Sequence, residues 1–118
     1  SLGDNFVITL GLDGCLFAYP QEKWDGFAEN LSKLPGTKAT RNLQRHFLAL
    51  AASCELDKQG RALIPSNLRD TVSLNKDIVF VGVLTKIEIW SKEKWEATND
   101  WDNVDDIAEQ MSEYGLSF

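Results

Sequence analysis

The chain has 118 residues, 43% of them hydrophobic and 10% aromatic, and a formal net charge of −6. That is enough apolar material for one small domain with a real core, which excludes a disordered chain. No apolar run is long enough to span a bilayer and no signal-peptide pattern is present, so the expectation is a cytoplasmic protein without membrane contact.

Taken alone, the acidic balance argues against nucleic acid as a partner. The distribution of charge does not. Residues 33–69 carry seven basic and two acidic side chains, a net +5, whereas residues 77–118 carry three lysines against ten acids, a net −7. An acidic chain with a basic middle can bind nucleic acid through that middle.

Phe6 to Leu12 is an apolar, β-branched run that predicts a strand. Asp13-Gly14 is a hairpin turn pair, and Cys15 to Tyr19 is the returning strand. Pro20 opens a helix whose apolar stripe is Trp24, Phe27, Ala28, Leu31 and Leu34, ended by Pro35-Gly36. A second helix is predicted from Thr37 or Thr40 to Ala51. Leu43, Phe47 and Leu50 face inward on it, and Arg41 and Arg45 lie together on another face. His46, the only histidine, has no second ligand or nucleophile near it and reads as a surface or boundary residue. Cys15 and Cys54 sit in apolar surroundings with no framework of paired spacings, and read as reduced core thiols.

Glu55 to Pro65 reads as strand, tight loop, strand. Leu56 alternates with the polar Glu55 and Asp57, Asp57 can bond back to the loop backbone, and Gly60 is free to take positive φ. The chain leaves through Leu63 and Ile64 and stops at Pro65, which has no N–H to give a sheet. Asp57 and Arg61 then meet at the neck of a hairpin with Lys58 on its tip. A carboxylate there holds a guanidinium in one orientation and leaves part of its donor fork free. Two readings stand. One is a rigid basic loop that meets an anion, DNA phosphate or a guanine edge. The other is a surface ion pair worth about 0–1 kcal/mol and nothing more.

Ser66 is predicted as the N-cap of a short helix through Leu68 and Arg69. Ile78 to Leu84 is a second apolar strand, Thr85-Lys86 its turn, Ile87 to Trp90 the return, and Ser91 caps a helix carrying Trp95. Beyond Ala97 the chain is acidic: Asp100, Asp102, Asp105, Asp106, Glu109 and Glu113. Val104, Ile107, Ala108, Met111 and Tyr114 recur at helical spacing, with Gly115 as a C-terminal stop. This segment reads either as an amphipathic helix docked on its own chain or a neighbour, or as a frayed, solvated tail.

The two apolar hairpins repeat. Aligning Lys23-Trp24 with Lys94-Trp95 sets an offset of 71 residues. Gly11 then meets Gly82, Leu10 Val81, Ile8 Val79, Leu16 Ile87, Tyr19 Trp90 and Glu22 Glu93, which predicts one gapless register. The first copy's counterpart of the Asp57–Arg61 loop would fall before residue 1, and the sequence starts without methionine. The expectation is that an N-terminal segment carrying that loop precedes it. Phe17, Trp24, Phe27, Phe47, Phe80 and Trp90 are assigned to the core or to subunit contacts.

With the repeat, Asp57-Lys58-Gln59-Gly60-Arg61, the following Leu63-Ile64-Pro65 and Leu68-Arg69, Phe80 to Gly82 and Glu88-Ile89-Trp90, the chain resembles the MraZ family over nearly its whole length. The resemblance implies an α+β fold of two tandem swapped-hairpin repeats of the SpoVT–AbrB type, a β-barrel with helices packed outside. It implies one domain over 1–118, with 1–51 as the remainder of the first repeat plus linking helices and 52–118 as the second repeat with the C-terminal helix. It further implies a DNA-binding transcription regulator, nucleoid-associated, that binds short direct repeats in double-stranded DNA upstream of the division and cell-wall gene cluster. The family assembles as a ring-shaped homo-oligomer, in which weak loops gain avidity.

On that reading Arg61 is the leading DNA contact, Asp57 orients it and Lys58 adds a phosphate contact. Gln59, Arg41, Arg45 and Arg69 are further candidate DNA contacts; for Arg41 and Arg45 the other reading is that they brace the hairpin. The competing reading is a protein-interaction or scaffold module, antitoxin-like or a ring assembly, with no specific DNA binding. No nucleophile–histidine pair, metal-ligand spacing or phosphate-binding glycine motif appears, so no catalytic residue, metal or cofactor is expected.

Overall fold

The structure is a computed structural model that describes residues 5–99 and 101–117; Asp100 of the acidic tail lies outside them. β1 (Asn5–Leu10) and β2 (Leu16–Pro20) form the first hairpin, and α1 (Gln21–Ser32) and α2 (Lys38–Leu48) follow. β3 (Ala52–Glu55), α3 (Ser66–Thr71), the second hairpin β4 (Ile78–Val83) and β5 (Lys86–Ser91), α4 (Lys92–Thr98), α5 (Val104–Met111) and a 3-10 turn over Ser112–Tyr114 complete the order. The strands make one five-stranded antiparallel sheet in the order β3-β1-β2-β5-β4. The α+β class is as the sequence predicts.

Strand alternation divides the core between two faces of this sheet. Phe6, Ile8, Leu16, Ala18 and Ile89 point to one face, where Leu68 of α3 and the partly buried Leu56, Ile64, Val72 and Leu74 cover them. Phe17, Tyr19 and Trp90 point to the other, against Leu31 of α1 and Phe47 of α2, with Trp24, Phe27 and Trp95 alongside. Three polar contacts pin α2. The buried Thr9 hydroxyl donates to the Phe47 carbonyl, Gln44 Nε2 donates to the Leu31 carbonyl at 3.0 Å, and His46 Nε2 lies 2.7 Å from the Gly11 carbonyl. A Cβ on Gly11 would stand 2.5 Å from the Phe17 ring, so only glycine fits that approach. Burial, reinforced by the Glu88 and Asp13 charges, pushes the Cys15 thiol up to about 12, and Cys54 is likewise raised by burial. Both cysteines are free and buried.

Several local expectations are corrected. β3 ends at Glu55, and Leu63-Ile64 forms no strand. β3 pairs only with β1, so the segment after the loop has no strand to join; Ile64 turns into the core and Leu63 stays 80% exposed. Ser66 is the first helical residue of α3 and makes no side-chain cap, because Pro65 occupies the cap position with its extended ψ of 140°. The second turn is Leu84-Thr85, since Val83 pairs with Lys86. On α2 only Phe47 is buried, and Leu43 is 39% exposed. Ser91 does cap α4, its side chain accepting from the Lys94 N–H. Phe80 is 61% exposed, apart from the other assigned aromatics.

The two hairpins do not superpose in the gapless register that the sequence predicts. The returning strands match at 71: Leu16 and Ile87 border the same core face, and Tyr19 and Trp90 share the other. Tyr19 faces Val7 across its hairpin while Trp90 faces Val79, so the outgoing strands match at 72. Ile8 is therefore equivalent to Phe80, and Leu10 to Gly82. A gapless 71 would set Ile8 and Val79 on opposite faces, because side chains alternate with period two. The missing residue lies in the turn. Five residues separate Leu10 from Leu16, four separate Gly82 from Ile87, and the shorter connection zips one pair further, Val83 with Lys86.

Candidate nucleic-acid interface

The loop between β3 and α3 is held by its own backbone. The Asp57 N–H donates to the Arg61 carbonyl at 2.7 Å and the Gly60 N–H to the Asp57 carbonyl at 3.0 Å. Gly60 turns the chain at φ +77°, a left-handed conformation that costs a side-chain-bearing residue about 1–2 kcal/mol. Asp57 Oδ1 accepts from the N–H groups of Gln59 and Arg61, each at 2.8 Å, and Oδ2 accepts from Arg61 Nε at 3.1 Å. One carboxylate thus takes three donors from two residues. The Arg61 backbone N–H, then the Gln59 N–H and the Arg61 guanidinium, hold the Asp57 carboxyl below its ordinary range against opposing desolvation.

This arrangement spends the carboxylate inward and leaves the cations outward. The Arg61 side chain is 74% exposed, and among the described residues its terminal Nη groups make no hydrogen bond. Lys58 is exposed at the tip. Gln59 contributes its backbone to the lock and exposes its side chain. The result is a rigid fork with open donors, suited to a phosphate or a guanine edge.

The other candidates are distributed around the fold. Arg69 is exposed on α3, which packs through Leu68 on the same sheet face as the loop's flanks Leu56 and Ile64. Arg41 and Arg45 ride on α2, which covers the opposite face through Phe47. Arg41 Nη1 donates to the Gly36 carbonyl at 3.2 Å and Arg45 Nη1 to Asn42 Oδ1 at 3.3 Å. The structure therefore gathers Asp57, Lys58, Gln59 and Arg61 and does not bring Arg41 and Arg45 to them. Leu63, at 80% exposure beside the loop, is a surface residue that sequence reasoning missed; its signal, an apolar pair before proline, also fits a strand.

The profile of the family described as "MraZ protein, putative antitoxin-like" matches residues 47–113. The transcriptional regulator MraZ of Lachnoclostridium phytofermentans is 66% identical over 118 residues, covering 100% of this chain and 83% of its own length. Its counterpart from Clostridium tetani is 53% identical over 118 residues, covering 98% of this chain and 82% of its own. That of Thermoanaerobacter pseudethanolicus is 50% identical over 118 residues, with the same two coverages.

Proposed function

The chain belongs to the MraZ family, and from that premise we propose that it is a DNA-binding transcription regulator whose Asp57–Arg61 loop makes the DNA contact. The observation that carries this reading is the three-donor lock on Asp57, which fixes Arg61 with its Nη donors free. A loop ordered in advance loses little freedom on binding. Arg61 reaches a base edge or phosphate, Lys58 a phosphate, and Arg69 extends the basic surface on the same side. The target is a set of short direct repeats upstream of the division and cell-wall gene cluster, and the protein works in the cytoplasm at the nucleoid.

The finer architecture is a pair of swapped-hairpin repeats. The matched hairpins, each running straight into a helix, support it, as does the pairing of β3 with β1. By that symmetry the outer edge of β4, unpaired among the described residues, and the exposed Phe80 mark where a strand equivalent to β3 would lie. Copies assemble into a closed ring, so that identical loops face successive repeats and weak contacts add as avidity.

Fluorescence anisotropy of the protein on DNA from upstream of its own gene, beside scrambled DNA, tests the reading. Repeat-dependent binding is expected, weakened by about tenfold or more in Arg61→Ala. Equal, poor binding to both DNAs with no effect of Arg61→Ala would overturn it in favour of a protein-interaction module.

A further inference from the structure

The chain between the loop and α3 is braced at both ends. The Arg61 carbonyl accepts the Asp57 N–H at 2.7 Å, and the Pro65 carbonyl accepts the N–H groups of Leu68 and Arg69, each at 3.1 Å. Between these anchors the side chains alternate, as they do along an extended chain. Ala62 and Ile64 line an apolar cavity over the sheet together with Phe6, Ile8 and Phe80, and Ile64 packs on the core. Arg61 and Leu63 take no part in that lining and stand in solvent, the Arg61 side chain at 74% exposure and Leu63 at 80%. A lone leucine on a surface is ordinary. This one is held by a braced backbone, on the side that carries the free Nη donors of Arg61.

We propose that Leu63 is a second base-reading residue, whose side chain seats against the C5-methyl of a thymine in the major groove, beside a guanine held by Arg61. This deepens the DNA-binding reading above and rests on it. The chemistry leaves one choice of contact. An isobutyl group neither donates nor accepts a hydrogen bond, so it gains nothing from a phosphate or from a polar base edge. The thymine methyl is the one apolar group that the four bases present in the major groove, and the minor groove shows none. The spacing agrees. Alternate residues of an extended chain stand about 6.6 Å apart, roughly two base steps of about 3.4 Å. A guanine under Arg61 and a thymine under Leu63 therefore lie within two base pairs of each other. The two residues read different features, acceptors by the guanidinium and a methyl by the leucine, so the loop discriminates more sequences than Arg61 alone can.

Fluorescence anisotropy of the full chain on DNA from upstream of its own gene, beside scrambled DNA, tests this with one protein variant and one base change. Leu63→Ala is expected to weaken binding to the repeats by about fivefold or more and to leave binding to scrambled DNA unchanged. Deoxyuridine, which lacks only the methyl, replaces the thymines of the repeats one position at a time. At one position, within two base pairs of a guanine, it is expected to cost the wild type about fourfold and to cost Leu63→Ala nothing further. Leu63 is exposed, so the variant's melting temperature and its mass by light scattering should match wild type. The proposal is overturned if Leu63→Ala binds the repeats as the wild type does while Arg61→Ala does not, or if Leu63→Ala weakens both DNAs equally. It is also overturned if no deoxyuridine position costs the wild type affinity, an arm that decides the matter even if the variant is unstable, or if every such loss persists in Leu63→Ala. A changed mass would overturn it by assigning Leu63 to a contact between copies. A wild type that binds repeats and scrambled DNA alike would instead sink the DNA-binding reading, and this assignment with it.

Discussion

Asp57 stands in solvent, and yet it organises the loop, because its carboxylate does for the backbone what a strand partner would otherwise do. Its pKa is lowered in the folded chain. A depressed carboxylate contributes order that is complete above its ordinary value of 3.8 and is lost as pH falls through the lower, folded value. The amide protons of Gln59 and Arg61 should therefore keep their protection at neutral pH and lose it only in that acid window. Asp57→Asn should show weak protection with no such transition, read by amide exchange in NMR. The ion pair of Asp57 and Arg61 is legible in the sequence from its spacing and from Gly60. What could not be read was that the two backbone donors, not the guanidinium, lead the stabilisation of the carboxylate; that depends on φ and ψ at Lys58 to Gly60.

At the scale of elements, α2 is fixed by polar contacts rather than by a deep apolar stripe. Thr9 is completely buried, and its hydroxyl meets the Phe47 carbonyl. Thr9→Val keeps the shape and leaves that carbonyl unpaired, so a loss of about 1–3 kcal/mol is expected. Thermal unfolding should show a fall of several degrees, with the sheet's circular dichroism unchanged at low temperature. The helix itself is legible from the spacing of Leu43, Phe47 and Leu50, but its inward face is not: Leu43 looks like a core residue at helical spacing and is 39% exposed, and only the fold shows that Gln44 and His46 make the contacts instead. The two hairpins are legible from their apolar runs and from Gly, Trp and Glu landmarks. Their register was misjudged by one because landmarks in the returning strand and helix say nothing of a turn upstream, and a one-residue difference there exchanges the two faces of the outgoing strand. The strand expected at Leu63-Ile64 failed for a related reason, since local alternation predicts a strand only where a partner strand is in reach.

At the scale of the molecule, an acidic protein is proposed to meet an acidic polymer, which requires that cations be concentrated where the contact is made. On the proposed reading, each subunit presents Lys58 and Arg61. Counterion release gives a slope of about −0.9 in log affinity against log salt for each neutralised phosphate. Titrations run where light scattering shows the assembly intact should give a slope steeper than the roughly −2 that one loop could supply. A slope of that size or less would mean that only one loop is engaged at a time. The lock on the loop has a consequence for how such a protein can change over generations. Its bonds are made by one carboxylate and by main chain, so the identities of Lys58 and Gln59 enter neither the core nor the turn. Those two positions can drift or be selected without a toll on folding, and a lineage can retune what its loop recognises while the scaffold beneath stays the same.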